Sequence, residues 1–282
     1  MFIPENTQLE SQFVQAGPVR LEYFEYGQGL DTLVFVHGYA TSAAIWSYTL
    51  ENMSPARFRV IVLNNRGAGN SDRTPNEEDY SVGTMADDLF QVVEALNLDG
   101  FTLVGHSMGG AIAVQLALEH RDRIKGMALI NCASLVGQSL PDDWEFQLRR
   151  DVAAGLPRAG EFGFKSAHVS EDFERSVLAD VARTPIERYV GSRRSIAALR
   201  LRDRLEEIQV PTLVIGTDND IILDIDTILA DYMALPHDHR HLQVYHGCGH
   251  SPHIEVLGRV GGVLGRFSDL AWDLDAKVDH SR

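Results

Sequence analysis

Several short stretches of the chain are apolar at nearly every position. Residues 32–36, 59–63, 100–104, 126–130 and 210–216 are runs of Val, Ile, Leu, Phe and Met bounded by polar or turn residues. Unbroken runs of this length, rich in β-branched residues, predict strands covered on both faces. Residues 9–27 hold two extended stretches; the second, 19–26, alternates well enough for a half-buried strand, and 242–245 predicts a further one. Between these runs the period changes to that of a helix. In 82–96 the apolar positions include Met85, Leu89, Val92, Val93 and Leu96, behind Ser81 as a capping residue. Residues 111–118 and 224–234 predict helices too, and another starts after Pro252. Strand alternating with helix means a mostly parallel, doubly wound α/β sheet with helices on both faces. The alternation stops between residues 134 and 206, where helix-like pieces are broken at Pro141, Gly155, Pro157, Gly160, Gly163, Pro185 and Gly191. This predicts a helical lid (134–206) inserted between two parts of a core, 1–133 and 207–282. Most of the lid's aromatic residues are expected to pack on one another, with Trp144, Phe162 and Phe164 as candidates for lining a substrate pocket.

Composition narrows the partners. The 282 residues carry a formal net charge of -15, which reads first as solubility and argues against nucleic acid and anionic membrane surfaces as partners. The N-terminus has neither a basic nor an apolar leader segment, and no apolar run is long enough to span a bilayer. Cys132 and Cys248 make no disulfide framework, so a cytoplasmic setting is expected. Oligomeric state has no readable signal.

The chemistry centres on Gly105-His106-Ser107-Met108-Gly109, a G-x-S-x-G pattern between a predicted strand and a predicted helix. In that setting the pattern is a nucleophile elbow. The sharp reversal presses backbone on backbone, so positions 105 and 109 must be small, and Ser107 is held in a strained conformation with its hydroxyl above the sheet. The Met108 amide, in the first helical turn, is a candidate oxyanion donor. Tyr39, after the strand 32–36 and Gly38, offers the second amide. His37 and His106 flank these donors and are candidate substrate contacts, a structural hydrogen bond being the plainer role for His37. After the strand 210–216, Thr217-Asp218-Asn219-Asp220 supplies a carboxylate, and Gly249-His250 supplies a histidine in a loop. Ser107, Asp220 and His250 therefore stand in the order a catalytic triad of this kind needs. The glycine-rich loop 64–72 lacks the spacing that cradles phosphates. The clusters His237, His239, His241 and His246, His250, His253 lack zinc-ligand spacing, so no metal is expected, and catalysis by a triad of this kind needs no cofactor. The pairs Arg149-Arg150 and Arg193-Arg194 read as solvated faces, with a grip on a substrate carboxylate as the alternative.

Taken together, His37-Gly38-Tyr39, the loop 66–71, Gly105-His106-Ser107-Met108-Gly109-Gly110, the stretch 211–216 with Asp220, and Gly249-His250-Ser251-Pro252 with Glu255 resemble the α/β-hydrolase family across nearly the whole chain. The resemblance is to its esterase and C–C hydrolase branch, whose helical cap lies between the sixth and seventh strands. It implies a serine hydrolase acting on a carboxylic ester, thioester or lactone of a small to medium apolar substrate. Alternatives are C–C cleavage of a vinylogous diketone, a perhydrolase or haloperoxidase-like activity, and a ligand-binding member with little turnover. The chain departs from the family pattern at Asn64, where an Asp is usual, and at Ile221, where a Pro often follows the acid. The second departure makes Asp218 a competitor for the acid role, although gapless counting from Pro211 puts Asp220 there.

Overall fold

A computed structural model describes residues 2–3, 7–155 and 169–279, with side chains from 9 to 155 and from 169 to 271. Strands β1 (Phe2–Ile3) and β2 (Thr7–Gln8) form a small antiparallel pair of their own. The others are β3 (Gln12–Ala16), β4 (Val19–Tyr26), β5 (Asp31–Val36), β6 (Phe58–Leu63), β7 (Phe101–His106), β8 (Ile124–Ile130), β9 (Thr212–Thr217) and β10 (Arg240–Tyr245). They make one eight-stranded sheet in the order β10-β9-β8-β7-β5-β6-β4-β3. Pairing is parallel from β6 to β10, and the two antiparallel pairings are those of β4, with β6 on one side and β3 on the other.

Each apolar run divides its side chains between two cores. Val34, Val36, Leu103, Met127 and Leu129 face one, and Leu33, Phe35, Val104, Ala128 and Ile130 face the other. This is the two-residue period of a strand with both faces covered. Helices α2 (Val82–Ala95) and α3 (Met108–Glu119) cover the first face through Met85, Leu89, Ile112 and Leu116, joined by Ile228 of α7 (Ile225–Ala234). On the opposite face lie Tyr48 and Leu50 of the short α1 (Ser47–Glu51), Ile254 of the short α8 (Pro252–Glu255), and Val260, Leu264 and Phe267 of α9 (Arg259–Asp279). The Ser81 side chain caps α2 by accepting from Thr84 N at 3.1 Å.

Helices α4 (Trp144–Ala153), α5 (Glu171–Ala182) and α6 (Ile186–Ala197) stand between β8 and β9, with no strand among the described residues there. One of the expected breaks falls differently. Pro185 stands at the break between α5 and α6, as the N-cap of α6, but Gly191 lies inside that helix rather than ending it. A Cβ on Gly191 would lie 1.9 Å from the Glu77 carbonyl, so α6 seats directly on the backbone of the preceding loop. Close approach, not helix termination, is what requires glycine there. Phe162 and Phe164 lie outside the described residues.

Candidate active site

The carboxyl ends of the parallel strands bring the predicted residues to one rim, where open α/β sheets place their ligands. Ser107 follows β7 directly, with φ 53° and ψ -120°, a conformation rare for a residue carrying a Cβ. The surroundings impose it. Cβ atoms at Gly105 and Gly109 would lie 2.3 Å from the Gly109 carbonyl and 2.2 Å from the Val36 carbonyl. Ser107 N donates to the Ile130 carbonyl at 3.0 Å, and Ala133 N donates to the Ser107 carbonyl at 3.0 Å.

The loop after β5 lies against this turn, since a Cβ on Gly38 would stand 3.1 Å from the Ser107 Cβ. Among the described residues, the Tyr39 and Met108 amides donate to no other protein group. The loop itself is pinned from below and above. His37 is wholly buried, its Nε2 accepts from Asn65 N at 3.1 Å, and its Nδ1 therefore carries the proton toward the Gly38 carbonyl at 2.9 Å. Burial and the Arg188 charge hold His37 well below the ordinary histidine range. From α6, Arg188 donates to the Thr41 carbonyl at 3.1 Å, and the Tyr39 hydroxyl donates to the Tyr189 carbonyl at 2.9 Å. Burial pulls the Arg188 guanidinium down to about 10, so it stays charged at neutral pH.

Of the two candidate carboxylates, Asp220 is the one that meets His250, Oδ2 to Nδ1 at 2.7 Å. Asp218 instead bonds His246 and accepts from Gly247 N at 2.7 Å. Burial pushes the Asp220 carboxyl up, but the His250 hydrogen bond and charge and the Ile222 and Leu223 amides outweigh it and leave the group below its usual value. The His250 backbone is held by groups the sequence pattern did not disclose. Its carbonyl accepts from His106 Nε2 and from Asn131 Nδ2, each at 3.0 Å, and Thr217 Oγ1 donates to the neighbouring Gly249 carbonyl at 2.8 Å. Glu255 accepts from Gly249 N and Ser251 N at 2.8 and 3.1 Å. Asn131 has φ 38°, so the chain leaving β8 turns sharply to aim its amide at this loop. A lone Asn past a strand carries no motif that would have announced the role. Behind His250 runs a row of tilted rings: His106 lies 4.8 Å from His250, His253 lies 4.4 Å from His106, and Trp46 lies 4.7 Å from His253, centroid to centroid. Burial takes His106 down to about 3.

Ser107 and His250 open on a shared cavity of about 420 Å³. Its walls are largely apolar, with Ile45, Ile196, Ile221, Ile222 and Leu223. Ile221, the residue standing where the family often has Pro, is 80% exposed at the rim. Tyr39, His106, Gln138 and Arg193 are among its polar positions, with the hydroxyl residues Thr41, Ser134 and Ser251. His37 does not line this cavity, and its bonds make it a brace for the loop; Trp144 lines a neighbouring cavity of about 310 Å³ instead. No helix of the described residues is long and apolar enough to cross a membrane.

This sheet order, with an elbow serine after β7 and a paired aspartate and histidine after β9 and β10, defines a class. The chain belongs to the α/β-hydrolase fold family, whose model matches residues 31–256, and it is a hydrolase. It is 30% identical to RutD of Rhizobium rhizogenes, a protein named for carbamate hydrolysis, over 68% of this chain and 76% of that one. It is 27% identical to the 2-hydroxymuconate semialdehyde hydrolase of a Pseudomonas species, over 95% of this chain and 96% of the other. Among solved structures, Est816, described as an N-acyl homoserine lactone degrading enzyme, superposes with a TM-score of 0.76 at 27% identity, covering 91% of this chain and all of its own.

Proposed function

We propose that the protein is a serine hydrolase that cleaves a carboxylic ester, thioester or lactone through an acyl-enzyme on Ser107. The observation that carries this reading is the single rim where the strained Ser107 and the Asp220–His250 pair face one cavity. Asp220 fixes the Nδ1–H tautomer of His250 and leaves Nε2 as the base. His250 takes the Ser107 proton as Oγ adds to the carbonyl carbon, then passes it to the leaving oxygen, sulfur or ring alkoxide. The Tyr39 and Met108 amides receive the oxyanion, each worth about 3 kcal/mol of barrier on the scale of a comparable backbone or amide donor. Water, deprotonated by the same histidine, then releases the acid. No hydrogen bond joins Ser107 to His250 among the described residues, and in such pairs the contact tightens when substrate enters. The helical insertion 134–206 acts as the lid, and the free thiols of Cys132 and Cys248 suit a reducing cytoplasm. The lactone-degrading and semialdehyde-hydrolysing relatives support the reaction class, and the second of them keeps C–C cleavage as the other reading.

The test is hydrolysis of a chain-length series of p-nitrophenyl esters, combined with mass spectrometry after treatment with a serine-directed phosphonate. Turnover with an adduct on Ser107 is the expected result. Ser107→Ala and His250→Ala should each lower kcat by at least about a thousandfold while the protein stays folded by circular dichroism. Asp220→Asn should cost far more than Asp218→Asn. Wild-type activity in Ser107→Ala would end the assignment. Turnover of a dienone keto acid but of no ester would move it to C–C cleavage.

A further inference from the structure

We propose that Arg193 is a specificity-determining residue that binds a carboxylate on the substrate, so that the preferred ester or lactone carries a negative charge remote from the scissile carbonyl. The inference rests on the reading of the cavity as the place where Ser107 acts. It starts from four arginines of the helical insertion that look alike in sequence. Arg149 pairs with Glu145 at 2.8 Å and also with Glu77. Arg150 pairs with Asp151 at 2.7 Å, and Arg194 pairs with Glu77 and Glu145 at 2.9 and 3.0 Å. Arg193 has no ion pair and no hydrogen bond among the described residues, and it lines the same cavity as Ser107 and His250. The one acidic residue of the neighbouring cavity that Arg193 also lines, Asp151, is taken by Arg150.

Three further observations turn an unpaired cation into a binding group. First, among the described residues the cavity lining contains no Asp or Glu, and the Asp220 carboxylate is fully covered. In a chain of net charge -15, the formal charge that the described residues place on these walls is therefore positive. Second, the surroundings are apolar and Arg193 is half-buried, with Ile196 one turn further along the same helix. An unpaired guanidinium in such a place lacks the compensation that buried charges ordinarily have, and an incoming carboxylate supplies it. Third, the helix that carries it is fixed. Gly191 lies on the Glu77 backbone, Ser192 Oγ donates to the Tyr80 carbonyl at 3.0 Å, and Val82 N donates to Ser195 Oγ at 2.9 Å. The planar fork of an arginine held in this way can take both oxygens of a carboxylate, which a lysine cannot match.

The experiment compares esters that differ only in a terminal charge. Mono-p-nitrophenyl adipate and suberate are set against p-nitrophenyl hexanoate and octanoate, and 4-carboxyphenyl butyrate against phenyl butyrate places the charge on the alcohol side. The reading is the ratio of kcat/KM for charged over neutral ester, which cancels any change common to both. The wild type should favour at least one charged ester. Arg193→Gln should lower that ratio roughly 10- to 100-fold, the loss of a hydrogen-bonded charge pair. Arg193→Lys should keep part of it, and Arg193→Glu should turn the preference to an ester with a terminal ammonium. A ratio that stays the same in Arg193→Gln, or a fall in both esters alike, overturns the proposal. If the wild type hydrolyses none of these esters, the ester-hydrolase reading is what fails. Calorimetric binding of mono-p-nitrophenyl adipate to Ser107→Ala and to Ser107→Ala/Arg193→Gln then decides Arg193 independently: binding lost only in the double variant sustains it, and equal or absent binding in both removes it.

Discussion

Asn64 shows how much a single atom type can decide. Its Nδ2 donates to Glu22 Oε2 at 2.7 Å, and its Oδ1 accepts from Ala43 N at 2.7 Å. Asn70 adds its own amide groups to Glu22 at 2.7 and 2.8 Å, and Ser11 bonds Oε1. Burial pushes the Glu22 carboxyl up, but these hydrogen bonds from Ser11, Asn70 and Asn64 outweigh it and leave the group below its usual value. Where the family usually has an aspartate, this chain needs an amide, because a second carboxylate would face Glu22 at hydrogen-bond distance. Asn64→Asp should therefore destabilise the protein by about 2–4 kcal/mol at pH 7 in urea unfolding. Glu22→Gln on that background should recover at least half of the loss, as coupled neighbours do. A cost within about 0.5 kcal/mol would mean that the network relaxes around the new charge. None of this was legible in the sequence beyond the departure itself, since Glu22 and Asn64 are far apart along the chain. Arg188 is hidden for the same reason. In sequence it is one more arginine on a helix, and in the fold it braces the carbonyls beside Tyr39.

At the scale of elements, the parallel strands were readable because double coverage leaves an unmistakable apolar run, and the elbow because its glycines cannot be anything larger. Helix α9 was not, although Val260, Leu264, Phe267 and Ala271 make a regular apolar stripe. Gly261, Gly262 and Gly265 interleave with it and lower the helical signal. The same weakness misplaced the break at Gly191, where propensity argues against a helix and packing demands one. Because the Glu77 carbonyl leaves no room for a methyl group, Gly191→Ala should force α6 away from the loop 77–80. The expected cost is about 1–3 kcal/mol, as for overpacking of a tight contact. The change should also lower kcat/KM, since α6 carries Tyr189, which holds Tyr39, and Ile196, which lines the cavity. An unaltered melting temperature would show that the helix absorbs the methyl group by a local shift. Nothing in the pattern of α6 could have separated Arg193 from Arg194, because the difference lies in which of them Glu77 and Glu145 can reach.

For the molecule as a whole, the histidines behind the site set an acid limit. Burial holds His37, His106 and His253 below the ordinary range; the Arg188 charge adds to this for His37, the His250 charge for His106, and the His106 and His250 charges for His253. In the unfolded chain each titrates near 6.5. The unfolded state therefore binds more protons below pH 6.5, and stability falls as pH falls through that value. With the folded rings still neutral at pH 5.5, each histidine costs about 1.4 kcal/mol, or about 4 kcal/mol for the three, against a typical total stability of 5–15 kcal/mol. The two carboxylates act in a lower window. Asp220 and Glu22 both have folded values below their unfolded ones, so their stabilisation is complete above about pH 5 and is lost as pH falls through their folded values. Urea midpoints measured from pH 7.5 to 4.5 should thus decline from about pH 6.5, with an uptake near three protons on unfolding and a constant m-value. His253, whose two ring nitrogens find no partner among the described residues, is the histidine to remove first. His253→Asn should take about one proton from that slope. A midpoint that holds level from pH 7 to 5.5 would mean that at least one of these rings is already charged, or already open to solvent, in the folded enzyme.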